Sequence, residues 1–124
     1  GELSRISLAI QVVIAEVSRI PTLVFDEVDV GIGGATATVV GHMLRDLGER
    51  GQILCVTHQA PVAAQAHHHL RVQKKARGRR LETELCLLSE ERRVDEIARM
   101  IGGEYISEQS RAHANEMLSQ RITH

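Results

Sequence analysis

Apolar and polar positions along the chain switch between a helical and an extended rhythm, and the switches outline an α/β fold. Residues 3–17, Leu-Ser-Arg-Ile-Ser-Leu-Ala-Ile-Gln-Val-Val-Ile-Ala-Glu-Val, are apolar almost all round, which predicts a helix buried on most faces. Ile20-Pro21 ends it, because the residue before a proline is pushed out of helical backbone. Thr22–Phe25 is a short continuous apolar strand, of the kind found in parallel sheets covered on both faces. Val28–Gly34 is a glycine-rich loop, and Ala35–Leu47 reads as a second helix ended by Gly48 and Gly51. Gln52–Val56 reads as another short buried strand, followed by Thr57-His58. Strand, helix and strand in this order predict parallel strands joined by a right-handed crossover.

The rhythm then changes. Two extended runs, about His69–Lys75 and Leu81–Leu88, flank Ala-Arg-Gly-Arg, the pattern of a β-hairpin. Ser89 is placed to cap a helix with Val94, Ile97, Ala98 and Ile101 on one face, closed by Gly102-Gly103. Ser107 is placed to cap a last helix reaching about Gln120. The chain shows no internal repeat, no low-complexity tract and no interdomain linker, so residues 1–124 read as a single partial domain.

Composition narrows the class. A chain of 124 residues can bury about two-thirds of its unfolded surface, enough for a core. The net charge of −1 selects neither nucleic acid nor membrane, but the basic residues are uneven. Arg71, Lys74, Lys75, Arg77, Arg79 and Arg80 fall in one ten-residue stretch without an acid. Cys55 and Cys86 stand singly in apolar runs without CxxC spacing, which predicts reduced core residues of a cytosolic protein. No signal peptide and no long apolar span are recognisable, so a cytoplasmic protein away from membranes is expected. The chain opens at Gly1 inside what reads as a motif, so a segment of a longer protein is expected.

The candidate chemistry sits where apolar strands end. Leu23-Val24-Phe25 runs into Asp26 and Glu27, and unpaired charge at the edge of a core is expensive. Ligands of parallel sheets lie outside the carboxyl ends of the strands, so Asp26 is placed to reach a Mg²⁺ ion, which takes one or two carboxylates plus phosphate oxygens. Glu27 is placed to orient or deprotonate a water. The competing reading is a solvated strand end. His58 follows Val56 as Asp26 follows its own strand, which puts an imidazole on the same edge; alternatively it caps or packs under a following helix. Gly1-Glu2 opens the first helix, where free backbone N–H groups favour anions.

The basic hairpin has two readings. Lys74, Lys75, Arg77, Arg79 and Arg80 with Arg71 can lie along a phosphate backbone and bind DNA without sequence preference, or the charge can simply protect a solvated hairpin from edge pairing. A single Tyr, a single Phe and no Trp leave little for base stacking. His67-His68-His69 does not predict a metal site, because successive strand residues point to opposite faces.

Gly-Glu-Leu-Ser-Arg, Leu-Val-Phe-Asp-Glu-Val-Asp and Val-Thr-His, in this order and spacing, resemble the end of a signature motif, a Walker B motif and a switch histidine of ABC-type ATPase heads. Asp-Glu-Val-Asp is similar to the SMC-like branch rather than to transporters. Gly-Glu-Leu-Ser-Arg-Ile-Ser-Leu-Ala-Ile, Phe-Asp-Glu-Val-Asp-Val-Gly-Ile-Gly-Gly and Cys-Val-Thr-His-Gln-Ala-Pro-Val-Ala resemble the RecN family of bacterial DNA repair proteins more closely still. The resemblance covers essentially the whole chain and implies the C-terminal lobe of an ABC/SMC-type P-loop ATPase head, acting in DNA double-strand break repair and recombination. ATP and Mg²⁺ are the implied ligands. Asp26 then matches the Mg²⁺ position, Glu27 the catalytic base, and His58 the switch histidine at the terminal phosphate. Gly1 and Glu2 match the signature end, which acts on ATP held by a partner head, and Asp29–Gly34 the D-loop region at the dimer interface. Gly33 stands where many such heads carry an aspartate. The implied partners are the N-terminal lobe of the same protein, a second head in a head-to-head homodimer, and DNA of the nucleoid. No Gly-x-x-x-x-Gly-Lys-[Ser/Thr] phosphate loop occurs, the only lysines being Lys74 and Lys75. The segment alone is therefore expected not to hydrolyse ATP, and to expose apolar surface where the other lobe packs.

Overall fold

The computed structural model describes residues 9, 11, 13, 21–26 and 29–121. The helix expected over residues 3–17 therefore lies largely outside the described residues, though Ala9, Gln11 and Val13 are helical. Gly1, Glu2 and Glu27 lie outside them altogether.

The elements run β1 (Thr22–Asp26), α1 (Gly34–Gly48), β2 (Gln52–Val56), α2 (Ala60–Ala64), β3 (Leu70–Arg77), β4 (Arg80–Leu87), α3 (Glu90–Gly102) and α4 (Glu108–Gln120). β1 and β2 pair in parallel, from Thr22 opposite Gln52 to Asp26 opposite Val56. Parallel strands need a crossover, and α1 supplies it. Alternation splits the pair into two faces. Leu23, Phe25, Ile53 and Cys55 pack with Ala37, Val40, Leu44 and Leu47 of α1, with Ile32, and with Val62 of α2. The opposite face is not covered by described residues: Val24, Leu54 and Val56 stay exposed. The apolar run predicts cover on both faces; among the described residues only the α1 face is covered, because α1 and α2 lie on that side of the pair.

The helix α2 escapes a sequence reading, being five residues long with a proline in its first turn. Its packing is tight. A Cβ on Gly41 of α1 would lie 2.9 Å from Gln65 Cγ, 3.0 Å from the Pro61 carbonyl oxygen and 3.2 Å from Val62 Cα, so glycine lets the two helices approach. Val62 joins the sheet core, while Ala60, Ala63 and Ala64 join a second core with Ile97, Ala98, Ala114 and Leu118. The short helix is thus shared by both cores.

The caps fall where expected. Ser89 accepts from the Arg92 amide at 3.3 Å, and Ser107 and Ser110 form a reciprocal capping box. α3 buries Ile97 and Ala98 as its periodicity predicts, and also Arg93 and Glu96. The hairpin is longer than its sequence pattern predicts: β3 reaches Arg77 and β4 starts at Arg80, so the turn is Gly78-Arg79 rather than Ala76–Arg79. Gly78 has φ 64°, and a two-residue hairpin turn needs that sign at its first position. Cys55 and Cys86 are free and half-buried.

Candidate functional site

The parallel register brings two of the predicted residues to one edge. Asp26 is the last residue of β1 and pairs with Val56, the last of β2; His58 follows two residues later. Both Asp26 and His58 are exposed, and neither makes a hydrogen bond or ion pair with another described residue. Side chains left uncommitted at the carboxyl ends of parallel strands are available to a ligand. Asp26 lies on the same sheet face as Val24 and Val56 by alternation.

The loops carrying these residues are held from inside. Asp29 is buried, and the Thr57 hydroxyl donates to its carboxylate. The Gln59 amide donates to Thr57 Oγ1 at 2.9 Å, and Gln59 Nε2 donates to the Ile32 carbonyl at 2.9 Å. Asp29 and Ile32 point inward, whereas Val30, Gly31, Gly33 and Gly34 are exposed. Within the loop expected at a dimer interface, these four are the described residues that face outward. Gly31 and Gly34 have φ of 77° and 57°, a backbone that favours glycine. Reading the sequence alone does not single out Asp29, Thr57 and Gln59 as a set. The signal was a third carboxylate after Asp26-Glu27 and a hydroxyl before His58, linked only through tertiary structure.

Burial, with the nearby charges of Asp29 and Asp26, pushes the Cys55 thiol up to about 11. It is a protonated packing group at neutral pH rather than a nucleophile.

Behind the site, α2 is anchored by cations at its C-terminal end. Arg93, 1% exposed, donates to the Ala66 carbonyl at 2.8 Å and to those of Ala63 and His67 at 3.4 Å each. Arg45 donates to the Gln65 carbonyl at 2.6 Å. These groups satisfy carbonyls that a helix end leaves open.

The basic hairpin sorts its charges by face. Arg71, Gln73, Lys75, Arg77 and Arg80 share a face with Glu82, Glu84 and Cys86. There Lys75 pairs with Glu84 at 2.6 Å, Arg77 with Glu82 at 3.3 Å and Arg71 with Glu96 of α3 at 3.4 Å. Lys74, Arg79 and Arg80 form no ion pair among the described residues. The other face holds Leu70, Val72, Leu81, Leu85 and Leu87, all exposed. The three histidines separate: His67 bonds Glu49 at 2.8 Å, His68 is exposed, and His69 is half-buried. No group of three or more metal-binding side chains converges among the described residues, nor is any described helix long and apolar enough to cross a membrane.

No family model matches the chain. It is 55% identical over 118 residues to the DNA repair protein RecN of Haemophilus influenzae, covering 95% of this chain and 21% of that protein. RecN of Vibrio cholerae is 52% identical over 118 residues, with the same coverages of 95% and 21%. RecN of Deinococcus radiodurans is 45% identical over 119 residues, covering 96% and 21%. The chain thus spans about one-fifth of the length of the curated relatives it matches (21% in each of these three). A solved structure from work on ATP-driven dimerization and DNA-stimulated activation of SMC ATPases superposes with a TM-score of 0.69 at 19% identity, over 85% of this chain and 63% of that one. The fold, parallel strands flanked by helices plus an antiparallel hairpin, is accordingly that of part of an SMC-type ATPase head, and by sequence the chain belongs to the RecN family as a segment of it.

Proposed function

We propose that this segment supplies the Walker B and switch elements of an ATPase head to a longer DNA repair protein of the RecN type. The observation that carries the reading is the parallel register, which sets exposed Asp26 and exposed His58 at the same edge of one sheet. The residues fit a Mg²⁺–nucleotide: a carboxylate and an imidazole that no other described residue engages are present, and the Cys55 thiol nearby is kept protonated. Asp26 would hold Mg²⁺, and His58 would contact the terminal phosphate. The ion, when bound, neutralises charge on the phosphates.

The chain's own residues divide the remaining work. Glu27 takes a proton from the attacking water or orients it. Gly1 and Glu2, as the end of the signature motif, act on nucleotide held by a partner head, and Val30, Gly31, Gly33 and Gly34 lie at the head-to-head contact. The exposed face of Val24, Leu54 and Val56 is covered by the N-terminal lobe, which also brings the phosphate loop. The segment alone binds ATP weakly and does not turn it over, and it self-associates through this face. The whole protein acts on DNA in the bacterial cytoplasm, at the nucleoid. DNA contact by the hairpin falls to Lys74, Arg79 and Arg80, because Lys75 and Arg77 are already neutralised across the strands.

The test uses the longer protein that carries this segment. Asp26→Asn is expected to remove the Mg²⁺ dependence of nucleotide binding, and His58→Ala to lower turnover while binding persists. Unchanged turnover in both variants overturns the reading.

A further inference from the structure

Among the described residues, His58 has nothing that holds its side chain, yet the residues on either side of it are fixed. The fixing is a closed ring. The Thr57 hydroxyl donates to the Asp29 carboxylate. The Gln59 amide donates to the Thr57 hydroxyl oxygen at 2.9 Å, and the Gln59 side chain donates to the Ile32 carbonyl at 2.9 Å. The Ile32 amide donates to the Asp29 carbonyl at 3.3 Å, which returns to the start. Asp29 is 3% exposed and Ile32 6% exposed. A carboxylate buried to that degree is costly unless it accepts hydrogen bonds, so the ring has a reason to stay closed.

The ring spans the two loops that follow β1 and β2. One carries the continuation of the Asp26 strand end, the other carries His58. An exposed group on a loop is held in place through its backbone, and a misplacement of about 1 Å at a reacting centre can cost on the order of a hundredfold in rate.

We propose that the Asp29–Thr57–Gln59–Ile32 ring is a latch that sets the position of His58 relative to Asp26, with Asp29 and Thr57 as positioning residues. The latch rests on the nucleotide reading above, since it is for that chemistry that the two strand ends must keep their register. It gives Asp29 a role facing inward, distinct from the outward-facing glycines of the same loop.

The test is made in the longer protein. Thr57→Val removes the hydroxyl at nearly constant volume, and Thr57→Ser restores it. Amide hydrogen exchange at Gln59 and Ile32 reads the ring directly, and MgATP turnover is resolved into kcat and KM. Thr57→Val is expected to speed exchange at Gln59 by about tenfold or more, as local opening becomes easier. It is expected to lower kcat by roughly tenfold or more while KM stays within about twofold, the mark of impaired positioning rather than impaired binding. Thr57→Ser should return both to the unsubstituted values. Unchanged exchange overturns the latch, as does faster exchange with unchanged kcat in a protein whose turnover Glu27→Gln abolishes. Glu27→Gln separates the two claims: turnover that survives it overturns the nucleotide reading, and the positioning role with it, whatever the exchange rates show.

Discussion

Gly41 and Arg93 show how much a single side chain, or the lack of one, decides here. Gly41 lies mid-helix, where alanine is the better helix former by about 1 kcal/mol. Two of the three atoms that its Cβ would meet within 3.2 Å belong to backbone, the Pro61 oxygen and Val62 Cα, and these cannot swing aside. Overpacking of this kind costs about 1–3 kcal/mol, so Gly41→Ala is expected to lower the thermal midpoint despite the gain in propensity. A raised midpoint would show that α2 moves away freely. Arg93 is the converse case. Replacing it with Met keeps an apolar stem but leaves the Ala63, Ala66 and His67 carbonyls without this donor. A buried polar group left unsatisfied costs about 1–3 kcal/mol, and urea denaturation should show a loss of that order with an unchanged slope. Neither role is legible in the sequence. Gly41 looks like any helical glycine and Arg93 like any surface arginine near a helix start, because both depend on α2, which packs against them from about twenty or more positions away along the chain.

At the scale of elements, periodicity is a good guide wherever burial follows a single rhythm. The strands at Thr22 and Gln52, the helix after Gly34, and the Ser89 and Ser107 caps all stand within a residue or two of the pattern. It fails at α2, since five residues and a proline carry no helical repeat. It also cannot tell which basic residues of the hairpin are spoken for, because pairing depends on which strand residue sits opposite. Arg77 faces Arg80 but reaches Glu82, and Lys75 reaches Glu84. This sorting makes a prediction for DNA. Reversing Lys74, Arg79 and Arg80 to glutamate in the longer protein should weaken DNA binding and flatten its salt dependence, by about 0.9 in log–log slope for each phosphate no longer neutralised. Reversal of Lys75 and Arg77 should do less. An unchanged slope for the first set would remove the hairpin from the DNA interface.

For the molecule as a whole, acid is the revealing stress. Glu96 is 6% exposed and lies between Arg99, at 2.6 Å, and Arg71, at 3.4 Å. Burial raises its pKa, but the Arg99 hydrogen bond and charge and the Arg71 and His69 charges outweigh that, and the net effect is a pKa below the usual 4.5. A depressed carboxylate stabilises the fold above its unfolded value and loses that contribution as pH falls through the folded one. His69 acts in the same direction from a higher pH. Burial first, then the Arg93 charge, lowers it below 6.5, so the unfolded chain takes up the proton first and folding weakens as pH drops under 6.5. Equilibrium denaturation is expected to show stability falling in two stages, one beginning near 6.5 and one below 4.5. His69→Asn should remove the first stage alone, and a single stage in the unsubstituted protein would contradict this account. The candidate site is legible in the sequence to the extent that it lies in contiguous motifs, with Asp26 and His58 each read from a strand and its end. The ring behind them joins Asp29 to Thr57, 28 positions apart, and only the paired sheet brings such positions together.

Nucleotide hydrolysis at this sheet edge is tested most directly at Glu27. In the longer protein, Glu27→Gln keeps the side chain's shape and removes its basicity. MgATP binding should persist while turnover falls by roughly a hundredfold or more, the contribution expected of a positioned general base. Turnover equal to that of the unsubstituted protein would contradict the assignment and leave the segment a binding or dimerisation module.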